Sequence, residues 1–225
     1  MPDDPIVAFA RDFSGNDRAV VDRVRGLVAE PPADTPAIGF HGMGSAPARV
    51  RAFLASVVVL EGAGLIHAVE DKYVYEALWR WVGTGAVNPA RLPPTASAVF
   101  GPLLGPWDIE VLDTPAYRER LWNGYGQATR ELEDHIAANG RVLLAIDATR
   151  GDTQFFALVE PGIAERWRDK ALCAHDGYRS GVRAPMWDRF WDHLSYAGAE
   201  ILVARDREGY PPGTRMRSDA IPFAG

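Results

Sequence analysis

Val20, Val21, Val24, Leu27 and Val28 recur at steps of three and four with Asp22, Arg23 and Arg25 between them, which predicts an amphipathic helix over residues 16–29. Asn16 or Asp17 supplies an acceptor for its first amides, and Pro31-Pro32 closes it, because proline disfavours helical geometry in the residue before it. A second helix is expected from Ser45, with Pro47 in its first turn, through Val50, Phe53, Leu54, Val57 and Val58 to Gly62–Gly64. Leu65–Val69 then reads as a short strand. Glu70 and Asp71 open a helix carrying Tyr73, Ala77, Leu78 and Trp81 at helical spacing.

Between Asn88 and Pro106 stand Pro89, Pro93, Pro94, Pro102 and Pro106, so this stretch is expected to be a Pro-rich crossover loop at 88–106, packed down by Val99, Phe100, Leu103 and Leu104 or acting as a lid. Trp107–Leu112 alternates with period two, as a half-buried strand does. Asp113-Thr114-Pro115 starts a helix whose stripe is Tyr117, Leu121, Tyr125, Ala128, Leu132 and Ile136, ending at Asn139-Gly140. Gly124 and Gly126 inside it predict either a close neighbour or a break. The apolar runs 141–148 and 154–160 flank Thr149–Thr153 as a β-hairpin, and the uninterrupted run Val142–Ile146 predicts a strand covered on both faces. Further elements are expected at Pro161–Trp167 (helix), around Met186–Leu194 (helix) and at Glu200–Ala204 (strand). Interleaved helices and strands with a hairpin point to a single α+β domain over 1–225, a mixed β-sheet with a central hairpin flanked by amphipathic helices.

Charge narrows the partners. Over 225 residues, 24 basic and 30 acidic side chains leave a net charge of −6, so no global positive field favours nucleic acid or anionic lipid. No apolar run approaches the roughly 20 residues that span a bilayer. With one cysteine, Cys173, no internal disulfide framework is available. These features, and an N-terminus without the pattern of an export signal, predict a cytoplasmic protein without membrane or nucleic-acid partners.

Candidate chemistry is sparse. Gly39–Ser45, and within it His41, Gly42, Gly44 and Ser45, could offer amides and an imidazole to an anionic ligand, although it lacks both the dinucleotide glycine spacing and the phosphate-loop lysine. Asp147 and Asp152, with Glu160 beyond, flank the hairpin turn and could ligate a hard cation or act as an acid–base pair, but turn chemistry also accounts for them. Glu131 and His135 share a helix face at a spacing where two ligands converge, yet two ligands do not make a metal site. His175 and His193, with Asp176, Asp188, Asp192 and Cys173, form the densest grouping of such groups and include the parts of a thiol nucleophile, while Ala171–Ala174 around Cys173 also reads as the setting of a buried structural thiol. Trp79 and Trp81 lie two apart on a helix, so one of them is available to a partner, and Trp187 and Trp191 form a second pair.

The succession Glu61–Trp81, followed by Val142–Asp147 and Gly151–Val159, resembles an uncharacterised family of small bacterial α+β proteins of unknown function. It covers about half of the chain, leaves 173–225 outside, and implies no activity. The combined expectation is a bacterial binding or interaction protein without catalysis, engaging a protein partner through exposed aromatics, with no cofactor and no metal. The alternative is a hydrolase-type enzyme with a carboxylate and histidine site built from Asp147, Asp152, His175 and His193.

Overall fold

The computed structural model describes residues 3–33, 46–70, 74–104, 114–148, 153–175 and 178–187. The α+β class expected from the sequence is the one found. Helices α1 (Pro5–Phe13), α2 (Arg18–Ala29) and α3 (Ala48–Gly62) lead into strand β1 (His67–Glu70). Then follow α4 (Val74–Gly83), a 3-10 turn (Pro89–Arg91), α5 (Pro94–Leu104) and α6 (Pro115–Ala138). The described chain closes with β2 (Val142–Asp147), β3 (Thr153–Val159), α7 (Pro161–Trp167), β4 (Ala171–His175) and β5 (Tyr178–Arg183). Backbone packing separates two compact units, Met1–Glu70 with Gly140–Met186, and Asp71–Asn139 with Trp187–Gly225.

The first unit holds a five-stranded sheet of order β1-β3-β2-β5-β4, with the expected β2–β3 hairpin in its middle. Every described pairing is antiparallel, not mixed. For β2–β3 and β4–β5 the connections explain this: residues 148–152 and 176–177 are far too few for a parallel crossover, which takes a dozen or more. Leu143, Ala145 and Phe156 are buried, and so are Leu144, Ile146 and Phe155 between them, so β2 and β3 are covered on both faces as their apolar runs predict. The helical side of the core joins Ile6, Phe9, Val24, Phe53, Leu54 and Leu60 to Leu144, Ile146, Phe155 and Ala157.

Helix α1 is not among the elements expected from the sequence, and it starts at an aspartate cap. Asp4 accepts from the Ile6 amide at 2.8 Å, Pro5 sits in the first turn, and Ile6, Phe9, Ala10 and Phe13 face inward. Arg49, on α3, binds the Asp4 carboxylate at 2.8 Å and the Leu172 carbonyl of β4 at 3.1 Å, so one guanidinium ties the start of α1 to the sheet. Burial alone would raise the Asp4 pKa, but the Arg49 hydrogen bond, the Ile6 amide and the Arg49 charge outweigh it and hold it below the ordinary range. At the far end of α1, Asp12 accepts from Arg166 at 2.7 Å and from the Trp167 indole at 2.8 Å, while Trp167 meets Phe9 edge to face. Helix α2 begins as predicted, capped by Asp17.

The second unit overturns the expected 88–106 loop. Residues Pro94–Leu104 form α5, with Pro94 in the first turn, where its missing amide costs nothing, and Pro102 inside. An interior proline costs about 3 kcal/mol, and burial of Ala96, Val99, Phe100 and Leu103 against α6 offsets it. Long helix α6 starts at the predicted cap, Thr114, which accepts from the Tyr117 amide at 3.1 Å, and ends at Asn139 with Gly140 at φ 75°. It does not break at its glycines. At Gly124 a Cβ would stand 3.2 Å from Thr95 Cγ2 and 3.4 Å from Val99 Cγ2, so this glycine lets α5 lie close. Trp81 is fully buried, edge to face with Trp187, and Trp79 donates its indole N–H to the Leu103 carbonyl at 2.7 Å. Neither tryptophan of the pair is therefore the expected free contact. The strands expected at 107–112 and 200–204 lie outside the described residues, as does the stripe beyond Trp187.

Candidate functional site

The side chains singled out by sequence separate into two groups. His41, Gly42, Gly44, Ser45, Asp152 and His193 lie outside the described residues. His175 ends β4 with its backbone opposite Tyr178, and its side chain is likewise outside the description. Asp147, the last residue of β2, faces Arg183 of β5 at 3.4 Å. Glu160 is exposed at the start of α7. Cys173 is buried, and that burial raises its thiol pKa against the opposing hydrogen bond from Ser180 and the Arg49 charge, so it stays a thiol at neutral pH.

Glu131 and His135 share a face of α6 as predicted, but they serve different segments of backbone. The Glu131 carboxylate accepts from the Ala96 amide at 2.8 Å and from Gln127 Nε2 at 2.8 Å, capping the first turn of α5 from a neighbouring helix. Pro93, which precedes that turn, has no side-chain acceptor to do so. The Ala96 bond, with further bonds from Gln127 and Thr95, lowers the Glu131 pKa below the glutamate range. His135 Nε2 accepts from the Asn88 amide at 3.0 Å, and Asn139 Nδ2 stands 3.3 Å from the same nitrogen while donating to the Ala86 carbonyl at 3.0 Å. A backbone N–H can only donate, so the imidazole is neutral with its lone pair on Nε2. Burial lowers its pKa accordingly. Among the described residues, no three His, Cys, Asp or Glu side chains gather to hold an ion, and no helix is long and apolar enough to cross a membrane.

His135 has a pH consequence. Its folded-state pKa lies below the unfolded value near 6.5, so the folded chain binds fewer protons there. The stability it contributes is complete above about pH 6.5 and is lost as pH falls through the folded pKa. Urea midpoints measured between pH 7.5 and 5 should therefore show the gap between wild type and His135→Leu narrowing as the pH drops. A gap that stays constant would contradict the Asn88 anchor.

What the second unit does build is a groove. Helices α5 and α6 leave along their outer side an open, shallow pocket of about 580 Å³, lined by Thr95, Ala98, Val99 and Gly124 and by the exposed polar side chains of Glu119, Arg120, Asn123 and Gln127. Residues 116, 119, 120, 123 and 127 form one stripe of α6 at helical spacing. Both walls are held from outside the groove. Glu131 caps α5 and turns the Gln127 amide, the Tyr117 hydroxyl donates to the Val99 carbonyl at 2.8 Å, and Trp79 holds Leu103. In sequence these edge residues are simply the polar side of an amphipathic helix, and only the placement of α5 marks them. One turn along α6, Trp122 is 73% exposed.

No family model matches the chain, and neither a curated protein nor a solved structure matches it. The resemblance of the 61–81 and 142–159 segments thus rests on those residues alone.

Proposed function

We propose that the chain is a non-catalytic binding protein, acting in the bacterial cytoplasm without a cofactor, whose ligand surface is the α5–α6 groove. The observation that carries this is an open pocket of about 580 Å³ edged by two carboxamides, a carboxylate, a guanidinium and a hydroxyl, on helices joined by bonds outside it. Rigid walls with a few convergent polar groups over a small-residue floor are what recognition sites require, because a pre-formed surface loses little entropy on binding. The described carboxylate and imidazole candidates support the same reading: Glu131, His135 and Asp147 each have a structural partner. The test is a screen of small polar fragments by backbone amide shifts in the ¹⁵N-labelled protein. Shifts should cluster on residues 94–99 and 116–127. A library that moves amides elsewhere, or leaves both segments unmoved, overturns the assignment of this groove.

A further inference from the structure

We infer that His135 is a pH-operated latch: neutral, it holds the stretch between α4 and α5 through the Asn88 amide, and protonated, it turns to Glu131 and lets residues 88–92 open while α5 and α6 stay packed. The latch lies apart from the proposed ligand surface and does not depend on it.

Gln127, Glu131, His135 and Asn139 follow at four-residue steps on α6 and so form one polar row. Three of them grip the backbone that runs from α4 to α5. Asn139 donates to the Ala86 carbonyl at 3.0 Å, His135 accepts from the Asn88 amide at 3.0 Å, and Glu131 accepts from the Ala96 amide at 2.8 Å. The middle grip is the one whose charge changes near neutral pH. Asn139 Nδ2 also stands 3.3 Å from His135 Nε2, so a proton added to that nitrogen would face one N–H with a second beside it. The protonated ring has another partner four residues back. Glu131 precedes His135 at the spacing and in the order that favour an ion pair on a helix, and His135 lies in the last turn of α6, where the helix dipole favours a cation. A charged donor binds a carboxylate about twice as strongly as a neutral amide, so the ring displaces Gln127 from Glu131 and leaves the Ala96 cap in place.

What opens is set by Asn88. Its side chain caps the 3-10 turn Pro89–Arg91 through the Ala90 amide at 3.1 Å, and its carbonyl accepts from the Arg91 amide at 3.0 Å, so the turn is built on Asn88 and moves with it. Asn88 and the turn are exposed, and their release uncovers no core. The opening is bracketed by buried Val87, whose amide donates to the Trp81 carbonyl at 3.0 Å, and by the Glu131 cap on Ala96. The charged groups of the neighbouring elements leave the latch to its own partners. Asp134 on α6, Arg91 in the turn and Arg80 on α4 are exposed, Glu133 accepts from the Trp187 indole, and α5 carries no ionisable side chain. Burial sets the direction of the His135 pKa, downward, so the latch is closed at pH 7 and opens on the acid side of about 6.5. Glu131, held below the glutamate range by its own bonds, is still a carboxylate there.

A ¹⁵N-labelled sample titrated from pH 7.5 to 5 reads both ends of the latch. At pH 7.5, long-range proton–nitrogen spectra of the His135 ring should place its proton on Nδ1. On acidification the Asn88 amide resonance should move with the midpoint of the His135 ring. Its protection from hydrogen exchange, corrected for the intrinsic rate, should fall about tenfold, the loss of one hydrogen bond, while the Ala96 amide keeps its protection. His135→Gln supplies an acceptor that does not titrate, so its Asn88 amide should stay protected at pH 5. Glu131→Gln removes the charge but keeps an acceptor for Ala96, and should lower the His135 midpoint. A neutral ring protonated on Nε2, or an Asn88 resonance that does not follow the ring, overturns the inference. So does a His135→Gln protein that loses Asn88 protection as wild type does, or a midpoint that Glu131→Gln leaves unmoved. Unfolding of the whole chain at the His135 midpoint overturns the local opening as well.

Discussion

Gly181→Ala should lower the unfolding free energy by about 3 kcal/mol or more, near the upper end for a single added methyl group. Strand β5 lies between β2 and β4, with Gly181 opposite Asp147 on one side and Ala171 on the other. The β4 register is irregular between Ala171 and Cys173, a bulge that leaves the chain before it folded over Gly181. A Cβ at this position would stand 2.0 Å from the Lys170 carbonyl oxygen and 2.9 Å from Ala171 Cα. Those are backbone atoms, and the same oxygen accepts the Val182 amide at 3.0 Å. Relief therefore requires parting β4 from β5, since no rotamer change can move a carbonyl. At about 2–4 °C per kcal/mol for a chain of this size, thermal unfolding should fall by about 6 °C at the least. Gly162→Ala in α7, where a Cβ meets nothing within 4 Å, is the control and should be neutral or slightly stabilising. Equal stability of wild type and Gly181→Ala would refute the β4–β5 register.

That glycine also shows why part of the sheet was hidden in the sequence. The β2–β3 hairpin was legible because both strands are unbroken apolar runs around a polar turn. Between β4 and β5 the sequence offers Asp-Gly, an equally good hairpin signal, but Gly181 and the bulge interrupt the alternation of the strands, and the His and Asp residues beside it suggest chemistry before geometry. Helix α1 was missed for a similar reason: Asp3, Asp4 and Asp12 argue against an export signal, yet Asp4 is also a cap, and nine residues hold only two turns of periodicity. Helix α6 was readable end to end, from Thr114 to Gly140, because its caps are local. Helix α5 was not, because what compensates its prolines comes from elsewhere: Glu131 lies 35 residues from Ala96, and Trp79 lies 24 from Leu103. The groove follows the same rule. Its polar edge is visible as a stripe of α6, but a stripe becomes a wall only when a second helix, itself hidden by Pro93, Pro94 and Pro102, is set beside it.

Removing the Tyr117 side chain should be among the most damaging changes in the second unit. Tyr117 is 2% exposed, in the first turn of α6, and its hydroxyl reaches the Val99 carbonyl of α5. Tyr117→Ala both opens a cavity between the helices and strips that carbonyl of its partner, a loss of about 3–5 kcal/mol. Tyr117→Phe keeps the packing and removes the bond alone, about 1–2 kcal/mol. Burial raises the phenol pKa above its ordinary value, with the Arg120 charge opposing weakly. The folded chain therefore holds this proton where the unfolded chain releases it, so the contribution is complete below about pH 10 and is lost as pH rises beyond. Denaturation at pH 8 and pH 11 should show wild type losing more stability than Tyr117→Phe over that interval. Because Val99 forms part of the groove floor, Tyr117→Ala should also abolish the clustered fragment shifts at 94–99 while Tyr117→Phe preserves them. If the two variants lose equal stability, the hydroxyl, not the ring, would be what joins α5 to α6.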